Sequence, residues 1–267
     1  MVACRSLWFA ALCRQLHWPG LRPTKRLCAG AGLEMYSMDV MPVCGGAVLY
    51  NRARNTLDKH SFGAGQVLAM PAPFRVLWDT PGPRMCSVED GVLALGEQDV
   101  VLVELRDGRA VRRRTLLIPE RSGAVTALGS SGRFLAACCQ HHVCVFDLDS
   151  PQAVPFSEQL VPGNCAPACV AVDPVCGTLL LGLHNRVIEM TFSGKVLRTF
   201  GPGGTSVALL GFGAVCLVSG GELVVLDRQG VHLQRPGVRA TCLAASADGR
   251  ALQLFDGHSH EVTECQS

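Results

Sequence analysis

The sequence predicts an all-β chain built from a repeated antiparallel unit. Beyond residue 35, short apolar runs rich in Val and Leu alternate with Gly, Pro, Asp, Asn or Ser, and no window sustains the period of a helix. Turn sequences such as Arg106-Asp107-Gly108 and Ala247-Asp248-Gly249 separate neighbouring runs. Turns this tight connect antiparallel strands, so consecutive runs are expected to pair with one another.

The apolar runs have the length of ordinary sheet strands, and they recur at a regular interval. The predicted strands include 92–95, 100–105, 115–118, 134–139, 143–148, 178–183, 187–192, 215–218 and 223–226. Similar segments that begin at Ser87, Val125, Cys169, Val207 and Cys242 open successive units. Four antiparallel strands every 35 to 45 residues, roughly, is the period of a propeller blade. The sequence therefore predicts a β-propeller of five to six four-stranded blades, which either closes with six thin blades or is a shortened form.

Dipeptides at strand ends follow a recurring but degenerate pattern. The predicted third strand of a unit ends in an apolar or aromatic residue followed by Asp at Phe146-Asp147, with degenerate versions at Leu226-Asp227 and Phe255-Asp256, and a Trp-Asp pair occurs at Trp78-Asp79. With this period and these pairs, residues 34–267 resemble the WD-repeat β-propellers. Residues 193–201 also resemble NHL-type propeller repeats, so the subfamily stays open. The WD-repeat resemblance implies a ring whose loops bind other proteins.

Composition narrows the choice of partners and compartment. The net charge of +2 gives no field that would concentrate nucleic acid or an anionic membrane. No run approaches the roughly 18 to 20 apolar residues of a membrane helix. The 14 cysteines are scattered, mostly within apolar runs, as thiols are in a reducing compartment. We therefore expect a cytoplasmic protein that binds neither nucleic acid nor membrane.

Residues 1–33 are predicted to form a separate, helical element. This segment contains five Lys or Arg residues and no acid, and residues 4–18 fit an amphipathic helix. Five apolar side chains in it resemble the last helix and exit of an F-box: Leu7, Trp8, Leu12, Leu16 and Trp18. The resemblance implies that the segment docks on the adaptor of a cullin-type ubiquitin ligase while the propeller holds the substrate. The earlier part of an F-box, with its Leu-Pro start, is missing.

Other interpretations of residues 1–33 stay open. An acid-free, Arg-bearing amphipathic start is typical of a mitochondrial presequence, although Ser6 is its only hydroxyl residue before Thr24. The helix also fits a simple packing role against one face of the propeller. A further alternative is an untranslated leader that precedes Met35 or Met38.

Candidate catalytic and metal-binding patterns have simpler structural explanations. The segment from Cys138 to Cys144 holds five potential metal ligands, but alternate side chains of a hairpin face opposite ways, so core cysteines beside a polar turn are favoured. No G-x-S-x-G nucleophile and no P-loop occurs. The basic run Arg112-Arg113-Arg114 is predicted to be a solvated face of an outer strand, with contact to an acidic peptide or phosphate as the functional alternative.

These observations predict a non-catalytic protein-interaction module without cofactor or metal. Combined with the F-box resemblance, they favour the substrate-recognition subunit of a cullin-RING ubiquitin ligase. Two alternatives remain: a general WD-repeat scaffold subunit of a larger complex, and a propeller enzyme with a site at the central channel.

Overall fold

In the computed structural model, strands and short turns account for nearly all of the described chain, with one 3-10 turn at Glu120–Ser122. The model describes residues 22–28, 36–43, 46–51, 56–61, 65–69, 84–89, 91–106, 109–210, 213–234, 236–245, 251–256 and 261–266. Within these residues, no helix has the length and apolar character needed to cross a membrane. The predicted all-β class is confirmed.

The described strands number 24 and pair into six groups of four, which we call blades 1 to 6. In chain order they are β1 (Arg22–Cys28), β2 (Tyr36–Val43), β3 (Gly46–Asn51), β4 (Thr56–Ser61), β5 (Gly65–Ala69), β6 (Arg84–Glu89), β7 (Val92–Gly96), β8 (Val100–Arg106), β9 (Arg109–Leu116), β10 (Val125–Ser131), β11 (Phe134–Cys139), β12 (His142–Asp147), β13 (Ser157–Leu160), β14 (Cys169–Asp173), β15 (Thr178–Gly182), β16 (Val187–Thr191), β17 (Val196–Phe200), β18 (Ser206–Leu209), β19 (Val215–Ser219), β20 (Glu222–Leu226), β21 (His232–Gln234), β22 (Cys242–Ala245), β23 (Ala251–Asp256) and β24 (Glu261–Gln266). Blades 1 to 5 are the successive meanders β2–β5, β6–β9, β10–β13, β14–β17 and β18–β21, and blade 6 combines β22, β23 and β24 with β1.

Each blade is an antiparallel sheet; in blades 1 to 5 all four strands are consecutive in the chain, and in blade 6 three of them are. Blades 1 and 2 are also linked through a parallel pairing of Ala69 with Arg109 on their outer strands. The segments predicted to open the units form the first strands β6, β10, β14, β18 and β22. Strand β9 starts earlier than the predicted strand 115–118, because the basic run before it pairs along β8.

The first strands of the six blades form a closed circle. Strand β2 contacts β6, and contacts then run from β6 to β10, β14, β18 and β22, which contacts β2 again. A closed ring of sheets removes the open edges that two terminal blades would otherwise present. The described strands thus form a six-bladed ring, within the predicted range of five to six blades.

Strand β1 completes blade 6 from the other end of the sequence. It pairs antiparallel with β24, from Arg22 with Gln266 to Cys28 with Glu261. The sequence predicts that residues 22–28 belong to a separate N-terminal segment, but in the structure they are the fourth strand of a blade. The physical reason is that β22, β23 and β24 leave the outer edge of β24 unpaired, and β1 supplies the missing backbone partners.

The predicted aromatic-Asp pairs at strand ends have different outcomes in the structure. Phe255-Asp256 ends the second strand of blade 6 and not a third strand, because the chain supplies only three strands of that blade after residue 241. Phe146-Asp147 does end a third strand, β12, as expected. The predicted helix at residues 4–18 and the pair Trp78-Asp79 lie outside the described residues.

The hydrophobic core lies between the blades, where sheets pack face to face. One cluster joins blades 1 to 3, and further clusters join blades 3 and 4, blades 4 and 5, and blades 5 and 6. Inner strands are therefore buried on both faces, as in β14 and β15, where every residue is buried. Burial on both faces explains why these strands are continuous apolar runs and not alternating patterns.

The packing between first strands leaves no room for a side chain at Gly129 of β10. A Cβ at this position would lie 2.3 Å from the carbonyl oxygen of Val170 in β14. The next residue, Ser130, donates a hydrogen bond from Oγ to the carbonyl oxygen of Ser87 in β6. Strand β10 is therefore fixed by backbone contacts to both neighbouring blades.

Replacing Gly129 by alanine is expected to lower the free energy of unfolding by about 3 kcal/mol, because backbone must move to admit the methyl group. Ser131→Ala on the same strand removes a half-buried hydroxyl with no described partner and should change stability by less than about 0.5 kcal/mol. Chemical denaturation of both variants and the unaltered protein measures the difference. Equal stability of the two variants would contradict the close approach of β10 and β14.

Candidate partner-binding surface

The side chains with the F-box resemblance, namely Leu7, Trp8, Leu12, Leu16 and Trp18, lie outside the described residues. The structure does describe the strand that follows them. Because β1 begins at Arg22 opposite Gln266, the segment before it joins the ring at the outer strand of blade 6.

The cysteine and histidine motif from Cys138 to Cys144 forms the predicted hairpin, and its cysteines belong to the core. Cys138 packs in the cluster shared with blade 4, whereas Cys139 and Cys144 pack on the opposite side of the sheet. Burial raises the pKa of Cys138, and contact with the Cys144 thiol raises that of Cys139. His142 pairs with Cys139 beside the turn and is half-buried. Among the residues that the model describes, no group of three or more ligating side chains could hold a metal ion.

The other cysteines of blade 4 are dispersed. Cys169 is buried in β14, Cys165 is exposed in the connection from blade 3, and Cys176 is exposed in the turn after β14. Partial desolvation of its thiol raises the pKa of Cys176, and a hydrogen bond with Arg228 lowers that pKa by a smaller amount. A raised pKa keeps this thiol protonated and weakly nucleophilic.

The basic run on β9 contacts the protein itself. Arg112 Nε donates to Thr115 Oγ1 at 3.1 Å, Arg113 Nη1 donates to Glu89 Oε1 at 2.8 Å, and Arg114 Nη1 donates to the carbonyl oxygen of Leu148 at 3.3 Å. The Arg114 contact ties blade 2 to the loop between β12 and β13. These internal contacts favour a structural role over a basic patch for an acidic partner.

Three phenylalanines meet where blade 3 faces blade 4, and we call this group the aromatic seam: Phe134, Phe156 and Phe192. Their ring centroids lie 5.0 to 6.0 Å apart, with tilted and edge-on arrangements that suit aromatic pairs. Phe134 and Phe192 pack against the core between the two blades. Phe156 is 53% exposed and lies just before β13. The seam thus presents one accessible ring on a fixed aromatic base.

A hydrogen bond and a close glycine contact hold the turn that contains Phe192 against blade 3. Ser157 Oγ donates to the carbonyl oxygen of Phe192, which joins the start of β13 to the end of β16. In the following turn, Gly194 lies against the side chain of Gln159, where an added Cβ would come within 2.5 Å of Oε1. These contacts hold the Phe192 turn against blade 3, so the seam is preorganised.

Positive charge borders the aromatic seam. The Arg133 guanidinium lies 5.0 Å from the centroid of the Phe134 ring, within the range of a cation–π contact. Its ion-pair partner is Asp147, with 3.7 Å between Arg133 Nε and Asp147 Oδ2. Lys195 lies in the same turn as Phe192 and is exposed. No carboxylate of the described chain forms an ion pair with Lys195.

Exposed apolar side chains also occur on the same two blades. Among the residues whose exposure the structure describes, which lie mainly in blades 2 to 5, six of the nine exposed large hydrophobic residues belong to blades 3 and 4 or the loops within and after them: Val154, Phe156, Leu160, Val175, Val196 and Leu197. Exposed apolar groups that gather in one region mark interaction sites more often than scattered ones. Blades 3 and 4 therefore carry the best candidate for a partner-binding surface.

A buried ionic network lies at the next junction, between blades 4 and 5. Arg228 follows β20 and donates to Asp173 Oδ2 at the end of β14, and its Nη2 is 3.5 Å from Glu189 Oε1 on β16. Glu189 also pairs with Arg198 Nε on β17 at 2.5 Å and accepts a hydrogen bond from Thr178 Oγ1 at 3.3 Å. Two cations and two anions balance, so the network is a structural connection between blades.

The aromatic seam and strand β1 were not found from the sequence. The three Phe residues are far apart in the chain, and only the facing of two blades brings them together. The available signal was that Phe134, Phe156 and Phe192 each stand at the end of a predicted strand or loop, where a propeller exposes its turns. Strand β1 has no comparable signal, because its charged residues and proline do not resemble a strand.

Comparison with known proteins supports the fold and gives no closer relationship. No family model and no curated protein matches the sequence. A chain of the "Crystal Structure of Mitotic Checkpoint Complex" is similar with a TM-score of 0.61 and 11% identity, and the match covers 93% of this chain and 92% of that chain. The WD40 β-propeller domain of Doa1 is similar with a TM-score of 0.60 and 14% identity, over 93% and 97% of the respective chains. The chain therefore has a WD40-like β-propeller fold.

Proposed function

We propose that this chain is a non-catalytic protein-recognition module, and specifically the substrate-recognition subunit of a cullin-RING ubiquitin ligase of the F-box type. The aromatic seam is the observation that carries the recognition role, because it offers exposed apolar surface on rigid elements of a propeller. The ligase role rests on the resemblance of Leu7, Trp8 and Leu12 to the end of an F-box. Scattered cysteines and a small net charge fit a cytoplasmic location.

The order of blades in the ring is compatible with two partners at once. Residues before Arg22 join the ring at blade 6, whereas the aromatic seam belongs to blades 3 and 4. Blades 3 and 6 are opposite one another in a six-membered ring. A ligase adaptor at the N-terminal segment and a substrate at the seam would therefore not compete for the same surface.

The ligase role is tested by affinity purification of the full chain from cells, followed by mass spectrometry. The intact protein is expected to recover a cullin-ligase adaptor, and the variant Leu7→Ala, Trp8→Ala, Leu12→Ala is expected to lose it. Truncation of two or three buried apolar anchors typically reduces binding by 100-fold or more, on the order of 3 kcal/mol. Arg14→Ala with Gln15→Ala, two polar positions of the same segment, serves as the matched control.

The substitutions leave residues 22–28 intact, so that the closing strand of blade 6 is preserved. Recovery of the adaptor with the intact and control proteins alone supports the ligase role. Recovery of identical partners by all three proteins, without an adaptor, contradicts that role and favours a general scaffold.

A further inference from the structure

We infer that the aromatic seam binds a protein segment that presents a large apolar side chain beside carboxylates. This inference rests on the proposed recognition function and adds the chemistry of the partner. Three features carry it: an exposed aromatic ring, cations at its border, and a rigid base.

The apolar part of the partner follows from Phe156. Its ring is half exposed, yet it contacts the rings of Phe134 and Phe192 at centroid distances of 5.8 and 6.0 Å. An apolar side chain that covers this ring would bury aromatic surface on a seam that is already ordered, because Phe134 and Phe192 pack against the core between blades 3 and 4. Preorganised surface of this kind retains more of the interaction free energy than a flexible one.

The acidic part of the partner follows from Arg133 and Lys195. The Arg133 guanidinium is 56% exposed and makes no hydrogen bond to a described residue, since Asp147 approaches only to 3.7 Å. The other carboxylate oxygen of Asp147 accepts the backbone N–H of Asp149. Arg133 therefore keeps donors for a carboxylate of a partner, and Lys195 adds a second cation in the Phe192 turn.

Asp149 is the exposed acid of the same region, in the loop between β12 and β13. Its charge opposes that of Arg133 and Lys195, so it limits the affinity for an acidic segment. This arrangement predicts opposite effects of neutralising Asp149 and of reversing either cation. The sign of each effect thus tests the assignment of charge separately from the apolar contact.

The experiment uses the full chain and an array of short peptides with a central Leu, Phe or Trp flanked by Asp and Glu, by Ser, or by Lys. We expect retention on the acid-flanked peptides. With the best of these, Phe156→Ala should weaken binding about tenfold in fluorescence anisotropy. Arg133→Glu and Lys195→Glu should shift preference towards Lys-flanked peptides, and Asp149→Ala should strengthen binding of the acid-flanked peptides. Leu117→Ala, an exposed residue of similar size outside the seam, is the matched control and should bind as the unaltered protein does.

Phe156 is half exposed, so its removal leaves no core cavity, and an unchanged thermal unfolding profile confirms the fold of the variant. Wild-type affinity of Phe156→Ala, or equal retention of acidic and basic peptides, overturns the inference. If the intact protein recovers no ligase adaptor but the seam variants change peptide binding as expected, only the ligase role is contradicted. If the adaptor is recovered but the seam variants bind the peptides as the unaltered protein does, only the peptide-binding role of the seam is contradicted.

Discussion

Replacing Arg228 by alanine is expected to lower the free energy of unfolding by about 3 to 5 kcal/mol, the cost of breaking a buried ion pair from one side. Asp173 and Glu189 are 6% and 1% exposed, so the loss of Arg228 leaves carboxylates without one of their counter-charges away from water. The side chain also connects blade 5 to blade 4. Its removal should therefore destabilise the junction of two blades and not only one turn.

Chemical denaturation measures this effect against two comparisons. Arg113→Ala removes an ion pair with Glu89, in which both side chains are more than half exposed, and a longer pair of 3.8 Å with Glu104, and should cost less than about 1 kcal/mol. In an Asp173→Asn background, Arg228→Ala should cost less than in the unaltered protein, because one buried charge is already absent. Asparagine keeps an oxygen for the backbone N–H groups of Val175 and Cys176. A cost for Arg228→Ala no larger than that for Arg113→Ala would show that the network does not hold the blades.

Deletion of residues 1–33 is expected to open blade 6, whereas deletion of residues 1–21 should leave the ring intact. The longer deletion removes β1 and exposes the backbone of β24, at a cost on the order of 3 kcal/mol from the lost hydrogen bonds. An unpaired edge strand also favours association between copies. We therefore expect a lower midpoint of unfolding and a tendency to form oligomers for the longer deletion only.

Hydrogen exchange of the β24 amides tests directly whether β1 protects the edge of that strand. Amides of residues 262–265 in β24 should lose about 100-fold of their protection when residues 1–33 are absent, and should keep it when only residues 1–21 are absent. Size-exclusion chromatography with light scattering reports the oligomers. Equal protection and equal size of the two deletion variants would contradict a closing role of β1.

The repeated part of the fold was predictable because every blade has the same physical requirement. Second strands such as β7 and β15 are buried along their whole length, so segments such as Thr178–Gly182 must be mainly apolar, and the turns beside them contain Gly or Asp. Strands that are buried in this way can be recognised in the sequence as short apolar runs. Phe146-Asp147 was placed correctly for the same reason, at the end of a buried third strand.

The parts that escaped prediction depend on contacts between distant segments. Strand β1 is a strand because β24 has an open edge, and the sequence of residues 22–28 carries no sign of that edge. Phe134, Phe156 and Phe192 form a surface because blades 3 and 4 face one another. Likewise, the buried pairing of Arg228 with Asp173 joins two blades through charges that look solvated when read along the chain.

The pairing of β1 with β24 also sets an order of events during synthesis of the protein. Strand β1 is synthesised first among the described strands and its partner β24 is synthesised last. Strand β1 therefore has no strand to pair with until all the intervening blades have been synthesised. Contacts between such distant segments form late and slow the overall folding rate. The ring can therefore close only after the last described strand, β24, has been made.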